Sequence, residues 1–197
     1  HELKTPMTSM KVLADSLVGQ QGVPEDLYQE FMRDITAEID RENRIITDLL
    51  TLVKMDKKNA DLQIQHMSIN QLLEDILKRL RPIADKRNID LILDSFRPVE
   101  ADVDELKFTS AISNLVENAI KYNVDDGWVR VSLDADHKFF YVTVADSGMG
   151  IPEDSLSRIF ERFYRVDKSH SREIGGTGLG LAITRSTIGM HHGVIKV

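Results

Sequence analysis

The chain has 197 residues, 42% of them hydrophobic and 29% charged, and a formal net charge of −7 at pH 7. This composition is typical of a soluble protein with one or two domains, and the acidic balance argues against nucleic-acid binding, which normally needs a clustered basic face. Cysteine is absent, so disulfides and thiolate metal sites are excluded and a reducing compartment fits. No apolar run approaches the roughly 20 residues that span a bilayer, so we expect this segment to make no membrane contact.

Apolar residues recur at helical spacing through the first part of the chain. The pattern covers residues 5–18, gives way to a Gly- and Pro-containing turn at 19–24, and resumes over 27–53. The second stripe is too long to bury against one short helix. We therefore predict that residues 1–62 form a helical hairpin that pairs with a second copy into a four-helix bundle. A polar interruption at 42–44 is interpreted as a softer patch of this bundle.

After a polar linker at 59–65 the pattern changes to alternating helices and strands. This change predicts an α/β sandwich over residues 63–197 and, for the whole chain, an α+β fold of two domains. The strand at 128–133 alternates, with Val129, Val131 and Leu133 on one face. The predicted elements are helices capped by Asn70 and over 103–122, and strands over 89–93, 128–133, 139–145 and 194–197.

Two amides and an ammonium share one face of the helix predicted over 103–122. Asn114, Asn118 and Lys121 stand at positions i, i+4 and i+7, and the apolar residues between them face inward. Such a stripe can hold a hydrated Mg²⁺ and a phosphate. From the residues alone, a solvated helix face is an equally good interpretation.

An aspartate follows the strand at 139–145 and precedes two glycines, Gly148 and Gly150. Asp146 in this position can accept a hydrogen bond from the exocyclic amine of a ligand, or it can close the strand with an Asx turn. A dinucleotide fingerprint is excluded, because Glu153 stands where the third glycine is required.

The most specific element is the segment 175–180, with four glycines in six residues ahead of an apolar helix. Each glycine loses much conformational entropy on folding, so four of them lower stability and are expected only where the loop has a function. A loop of this kind at the start of a helix presents backbone N–H groups to a polyphosphate. It is not a P-loop, because the chain contains no Gly-Lys-Ser/Thr. Upstream, the aromatic segment 159–165 and the polar stretch 166–174 predict an anchored, movable loop, or else a surface loop with ordinary charge pairs. The cations available for phosphate are Arg162, Arg165, Lys168 and Arg172.

Taken together, these segments resemble the sensor histidine kinases of two-component systems over nearly the whole chain. Residues 114–122 resemble the N-box of that family, 146–151 its first glycine box, 160–165 its phenylalanine box and 175–183 its second glycine box. The opening residues 1–6, His-Glu-Leu-Lys-Thr-Pro, resemble its phosphoacceptor box.

Two departures from the family pattern lie near the end of the chain. The usual His-Gly-Gly is His191-His192-Gly193, which we interpret as a turn rather than a metal site. A closing strand and a third glycine box do not follow Val197, so we expect an incomplete sheet or a truncated sequence.

The resemblance implies a Bergerat (GHKL) ATP-binding fold in residues 63–197, with ATP under a lid formed by residues 166–176. It implies that Asn114 and Asn118 hold Mg²⁺ and that Asp146 reads the adenine amine. The other nucleotide-contacting residues that it implies are Lys121, Tyr122, Gly148, Gly150, Arg165, Gly176, Thr177, Gly178, Leu179 and Gly180.

The resemblance also makes His1 the nucleophile that accepts the γ-phosphoryl group. The pKa of an imidazole is about 6.5, so a neutral ring nitrogen is available at cellular pH. Glu2 adjoins His1 and can hydrogen-bond the other ring N–H. Thr5 lies one helical turn along, where the family resemblance implies a role in dephosphorylating the partner, and Pro6 is expected to bend the helix.

The function implied by the resemblance is an ATP-dependent protein-histidine kinase. It would act as a homodimer, pass phosphate to an aspartate of a response-regulator receiver domain, and also dephosphorylate that regulator. The chain would be the cytoplasmic portion of a parent anchored in the bacterial membrane through an upstream sensor region.

Two other functions stay open: a stand-alone ATPase of the same fold, and a dimeric scaffold that binds nucleotide only to change shape. In the ATPases of this fold a glutamate that activates water stands at the position of Asn114. An amide cannot act as a general base, which favours the kinase. The scaffold is opposed less strongly, because binding alone would also need Asn118, Asp146 and the glycine loop.

Overall fold

The computed structural model describes residues 8, 11–12, 14–16, 18, 24–55, 62–166 and 176–197. The predicted phosphoacceptor residues His1, Glu2 and Thr5 lie outside the described residues, as do Lys168 and Arg172 of the lid. The described residues between positions 8 and 18 are helical, in agreement with the first predicted helix.

Helix α1, Glu25–Met55, contains 31 residues and includes the whole second apolar stripe. The polar interruption at 42–44 does not break it. Ile45 and Leu52 are buried on one face, while several apolar residues of another face are exposed. Glu42 is also buried, and its Oε1 has no hydrogen-bond partner among the described residues.

The remaining elements alternate between helix and strand and form two sheets. Strands β1 and β3 pair antiparallel, and a separate three-stranded sheet has the order β2-β4-β5, with β2 parallel to β4 and β4 antiparallel to β5. The elements are β1 (Ile64–Ser68), α2 (Ile69–Asp85), β2 (Asp90–Ser95), β3 (Glu100–Asp104), α3 (Glu105–Lys121), β4 (Trp128–Ala135), β5 (Phe140–Asp146), α4 (Glu153–Leu156) and α5 (Gly180–Met190).

The main core lies between the three-stranded sheet and helices α2 and α3. The predicted inward face of β4 is confirmed, since Val129, Val131 and Leu133 are all buried. Apolar residues of α2 and α3 cover this face and fix α3, which carries the predicted amide stripe. The helix residues of this core include Leu73, Ile76, Leu77, Leu80, Ile112, Val116 and Ile120.

Several predicted boundaries were wrong. The predicted linker 59–65 already contains the start of β1 at Ile64, and the cap of α2 is the side chain of Ser68, not that of Asn70. Asn70 instead accepts a hydrogen bond from the backbone N–H of Val99 at 2.7 Å. The predicted strand at 194–197 does not form among the described residues.

None of the helices in the described part of the chain combines the length and the apolarity needed to cross a bilayer.

Candidate nucleotide-binding site

Asn114 is fixed on α3 by a contact with α5. Its Nδ2 donates to Oγ1 of the buried Thr184 at 3.0 Å, so the amide oxygen is directed towards the first residue of α5. A Cβ atom added to Gly180 would lie 2.3 Å from that oxygen. Only glycine therefore allows α5 to begin beside the amide, and the oxygen is of the kind that a hard cation prefers.

Lys121 lies at the end of α3 within a group of cations. Burial, followed by the nearby charges of Arg165 and Arg44, lowers its pKa to about 8, while the charge of Glu117 opposes the shift. Arg165 donates from Nη1 to the carbonyl oxygen of Gly176 at 2.8 Å, and a Cβ at Gly176 would lie 3.0 Å from Nζ of Lys121. Lysine and both arginines thus carry positive charge around the start of the glycine loop, a setting that favours an anion.

Arg44 belongs to α1 and was not among the site residues predicted from the sequence. Its charge acts on Lys121, which lies far along the chain. The only signal in the sequence is the polar interruption of the stripe at 42–44.

Asp146 closes β5 as the Asx-turn interpretation predicts. Its Oδ1 accepts a hydrogen bond from the N–H of Gly148 at 2.8 Å, and Oδ2 has no hydrogen-bond partner among the described residues. A Cβ at Gly148 would lie 2.4 Å from the carbonyl oxygen of Tyr122, which also accepts from the N–H of Met149 at 3.2 Å. The first glycine segment therefore packs on the end of α3, and the turn leaves one carboxylate oxygen for a ligand amine.

Gly150 lies at the tip of this segment and has a φ of +70°. A Cβ atom added to it would have no neighbour within 4 Å. The positive φ makes glycine the favoured residue there. Tyr122 is 36% exposed and lies under Nζ of Lys121, which is 5.5 Å from the ring centroid.

The glycine loop, residues 176–180, is held from several sides. Its Gly178 has a φ of +70°, and its carbonyl oxygen accepts from the N–H of Phe163 at 2.9 Å. A Cβ at Gly178 would lie 2.9 Å from Cα of Phe163, so no other residue fits without movement. Leu179 is fully buried and packs with Ile45 and Leu52 of α1.

The end of α3 is capped by a residue that sequence reasoning missed. Arg87, just after α2, donates to the carbonyl oxygens of Ile120 at 3.0 Å, Lys121 at 3.1 Å and Asn123 at 2.9 Å. Two of these oxygens belong to the last turn of α3, where carbonyl groups lack donors from a following helical turn, and the third lies just beyond it. Since Arg87 lies more than thirty positions away from them, no local motif reveals this contact, which fixes the backbone around Lys121.

Asn123 is a second missed support. It is buried, and its Nδ2 donates to the carbonyl oxygens of Ala119 and Trp128, both at 3.0 Å. The Asn123 amide thereby joins the end of α3 to the start of β4, beside the first glycine segment.

His191 and His192 form a turn, as predicted. Nε2 of His191 accepts from the N–H of Asp104 at 2.9 Å, and Nδ1 donates to the carbonyl oxygen of Thr187 at 2.8 Å. Both ring nitrogens are therefore used within the fold. His192 has a φ of +59°, where glycine is the usual residue.

The residues present fit Mg²⁺ and a nucleotide. The described residues contain no group of three or more His, Asp or Glu that would cage a metal by themselves. Mg²⁺ needs no such cage, because it commonly binds one or two protein oxygens together with phosphates and water. Asn114 offers its oxygen, and the side chain of Asn118 has no hydrogen-bond partner in the described part of the chain.

Two family models match the chain. Residues 103–197 match the model described as histidine kinase-, DNA gyrase B-, and HSP90-like ATPase, and residues 1–58 match the His Kinase A (phospho-acceptor) domain. Among curated proteins, the sensor histidine kinase WalK of Bacillus subtilis is 33% identical over 198 residues, which cover 99% of this chain and 32% of that protein. The sensor protein kinase WalK of Staphylococcus aureus is 33% identical, with 99% and 47% covered. The chain thus spans about a third to a half of the length of these relatives.

The fold is shared with solved histidine kinases. The kinase ThkA in complex with the response regulator protein TrrA has a TM-score of 0.79 at 24% identity, over 98% of this chain and 53% of that one. The Acinetobacter baumannii histidine kinase AdeS has a TM-score of 0.76 at 22% identity, over 95% and 85%. With both domain models matched in this order, the chain belongs to the sensor histidine kinases of two-component systems, with a helical N-terminal region followed by an ATP-binding domain of the GHKL type.

Proposed function

We propose that the chain is the catalytic core of an ATP-dependent protein-histidine kinase. It autophosphorylates on His1 and passes the phosphoryl group to an aspartate of a response regulator. Residues 1–62 are the dimerisation and phosphotransfer domain in this proposal, and residues 63–197 are the catalytic domain. The parent protein is anchored in the membrane, and this chain is its cytoplasmic portion.

The observation that carries the proposal is the environment of Asn114. Its amide oxygen points at the first residue of α5, and its nitrogen is held by Thr184. An amide in this position can hold a metal ion but cannot remove a proton from water. The γ-phosphoryl group is therefore protected from hydrolysis and left for a different nucleophile. This chemistry favours a kinase over an ATPase.

ATP and Mg²⁺ are the proposed cofactors. Mg²⁺ neutralises charge on the β- and γ-phosphates when it is bound. Asn114 and Asn118 hold the metal, Asp146 accepts a hydrogen bond from the adenine amine, and Lys121 and Arg165 offset phosphate charge. A relative in fold supports the nucleotide, since the histidine kinase ShkA, with a TM-score of 0.71 and 23% identity, was solved in complex with AMPPNP.

His1 is the proposed acceptor, supported by the match of residues 1–58 to the phospho-acceptor family model. A neutral imidazole nitrogen attacks the γ-phosphorus in line; the nitrogen–phosphorus bond forms as the bond to the ADP oxygen breaks. Glu2 hydrogen-bonds the other ring N–H and stabilises the cation that forms. Thr5 assists the dephosphorylation of the regulator.

The proposed partners are a second copy of the chain and a response-regulator receiver domain. The exposed apolar residues of α1 support the first, because a long helix seldom leaves an apolar face in water. The second is supported by the kinase ThkA, which was solved with the response regulator protein TrrA.

A labelling experiment tests the proposal. The protein extended upstream of His1 is incubated with Mg²⁺ and γ-labelled ATP, beside the variants His1→Gln and Asn118→Ala. We expect acid-labile label on the wild type and a loss of at least about a hundredfold in both variants. Label that survives His1→Gln would refute the acceptor assignment, and release of phosphate without labelling of the protein would favour the ATPase.

A further inference from the structure

A hydrogen bond joins helix α1 to the glycine loop. Oγ1 of Thr177 donates to Oδ2 of Asp48 at 2.7 Å, between residues 129 positions apart. Both side chains are partly buried. Because the acceptor is a carboxylate, this bond belongs to the stronger, charge-assisted class.

The same hydroxyl also shapes the loop. Oγ1 of Thr177 accepts a hydrogen bond from the N–H of Leu179 at 3.2 Å, while its proton is given to Asp48. A hydroxyl has one proton and two lone pairs, so a fixed acceptor for the proton leaves the lone pairs directed at the loop backbone. Asp48 thus sets the orientation in which Thr177 ties down the turn before Gly180.

Apolar packing around this bond holds α1 against the loop. Leu179 is fully buried against Ile45 and Leu52, which lie on the same face of α1 as Asp48. Phe163 and Ile183 complete the cluster from the catalytic domain. The loop that carries Gly178 and Gly180 therefore has α1 on one side and Asn114 on the other.

We propose that Asp48 is a positioning residue for the nucleotide. By accepting the proton of Thr177 it holds the glycine loop in its phosphate-binding shape while α1 is docked on the loop. Docking of α1 and binding of ATP consequently favour each other, since a coupling between two equilibria acts equally in both directions. This inference rests on the proposed ATP site.

The charge distribution supports the coupling. Docked α1 brings Arg44, one helical turn before Asp48, into electrostatic contact with Lys121, beside which Arg165 also lies. These like charges repel each other unless an anion lies between them. A triphosphate offsets this repulsion and so favours the docked helix.

Binding measurements on the full chain test the proposal. The dissociation constant of a fluorescent, non-hydrolysable ATP analogue is measured with Mg²⁺ for the wild type and for Asp48→Ala, Thr177→Val and the double variant. We expect each single variant to bind about tenfold more weakly, the factor that follows from losing one charge-assisted hydrogen bond. The double variant should be no weaker than the singles, because all three lack the same bond.

Two controls separate positioning from general damage. Thr177→Ser keeps the hydroxyl that donates to Asp48 and should therefore recover most of the affinity that Thr177→Val loses. Asp34→Ala removes the same charge from an exposed position of α1 and should also bind like the wild type. The thermal midpoint without nucleotide is measured in parallel, since a merely structural role for Asp48 would lower it and leave the dissociation constant unchanged.

The outcomes distinguish this inference from the proposed function. A wild type that does not bind the analogue would refute the ATP site itself. If the wild type binds the analogue, either of two results would overturn the role of Asp48 and leave the kinase proposal intact. One is unchanged binding in Asp48→Ala and Thr177→Val, and the other is a loss in the double variant that equals the sum of the two single losses.

Discussion

The first residue of α5 approaches the amide of Asn114 so closely that a side chain cannot be added without moving a candidate metal ligand. A Cβ at Gly180 would lie 2.3 Å from the amide oxygen and 3.0 Å from the nitrogen that Thr184 holds. The Asn114 side chain can turn aside, but it then loses its bond to Thr184 and the direction of its oxygen. The cost of an added methyl group therefore falls on the ligand site more than on the fold.

Gly180→Ala is accordingly expected to weaken Mg²⁺-dependent binding of an ATP analogue by at least about tenfold, as for a displaced polar contact. Stability should change little, because alanine is the better helix former. Isothermal titration calorimetry with and without Mg²⁺, and urea unfolding, measure the two effects.

The matched control for this substitution is Gly189→Ala, in the same helix, where an added Cβ has no neighbour within 4 Å. It should bind the analogue as the wild type does and be more stable by up to about 1 kcal/mol. If the two alanine variants behave alike in binding, the close approach of Gly180 to Asn114 has no part in the site.

At the level of elements, Asp104 joins four segments of the catalytic domain. Its Oδ1 accepts from the N–H of Lys107 at 3.0 Å and caps α3, and its Oδ2 accepts from the N–H of Gln63 at 2.9 Å, ahead of β1. Its own N–H donates to His191 after α5. Burial alone would raise the pKa of the Asp104 carboxyl, but hydrogen bonds from the side chain and backbone of Lys107 and from Gln63 lower it to about 2.

This shift predicts a pH-dependent contribution to stability. The pKa of Asp104 is depressed from 3.8 to about 2 on folding. Its contribution, about 2 kcal/mol, is therefore complete above pH 4 and is lost as the pH falls towards 2. Asp104→Asn keeps a good capping residue, so the loss reports mainly on charge.

Urea unfolding of the wild type and of Asp104→Asn between pH 7 and pH 2.5 checks this prediction. The difference in free energy of unfolding should be about 2 kcal/mol at pH 7 and should shrink steadily below pH 4. A difference that stays constant over this range would contradict it.

Local patterns predicted the elements that bury a regular apolar face, and the exceptions are instructive. Strand β4 and helix α1 were predicted from the sequence because their apolar residues recur at fixed spacing. Strands β1 and β3 were not predicted from the sequence. Strand β3 has the sequence Glu-Ala-Asp-Val-Asp, and acidic residues are poor strand formers. Their pairing, Ile64 with Asp104, is a long-range fact that neither segment reveals alone.

The residues of the candidate site also fall into a group that the sequence predicted and a group that it did not. The glycines and amides fall in short motifs, and the structure brings Asn114 to Gly180 and Lys121 to Gly176. Arg87 and Asp48 reach the site from distant parts of the chain, and a single charged residue in a helical or loop sequence has many ordinary explanations. Residues that support a site from afar are therefore visible only in the folded chain.

For the molecule as a whole, helix α1 takes part in both contacts proposed for it, the dimer interface and the docking on the glycine loop. The face with Ile45, Asp48 and Leu52 contacts the glycine loop. A different face carries apolar residues seven positions apart that remain 41–55% exposed: Met32, Ile39, Ile46 and Val53. A seven-residue repeat is the signature of a helix that packs along a partner helix. Helix α1 can thus contact a second copy of the chain and the glycine loop at the same time. Dimerisation and docking of α1 on the glycine loop therefore use two faces of the same helix.

The exposed repeat predicts a concentration-dependent dimer. Ile46→Asp places a charge in the middle of the repeat, where pairing would bury it without a partner, and should raise the dissociation constant of the dimer on the order of a hundredfold. Sedimentation equilibrium over a range of protein concentrations measures this constant. Thr47→Asp adds the same charge one position further along the helix, off the repeat, and should leave the dimer unchanged. If Ile46→Asp is as dimeric as Thr47→Asp, the second copy does not cover this face, and the apolar repeat must pack against another part of the protein.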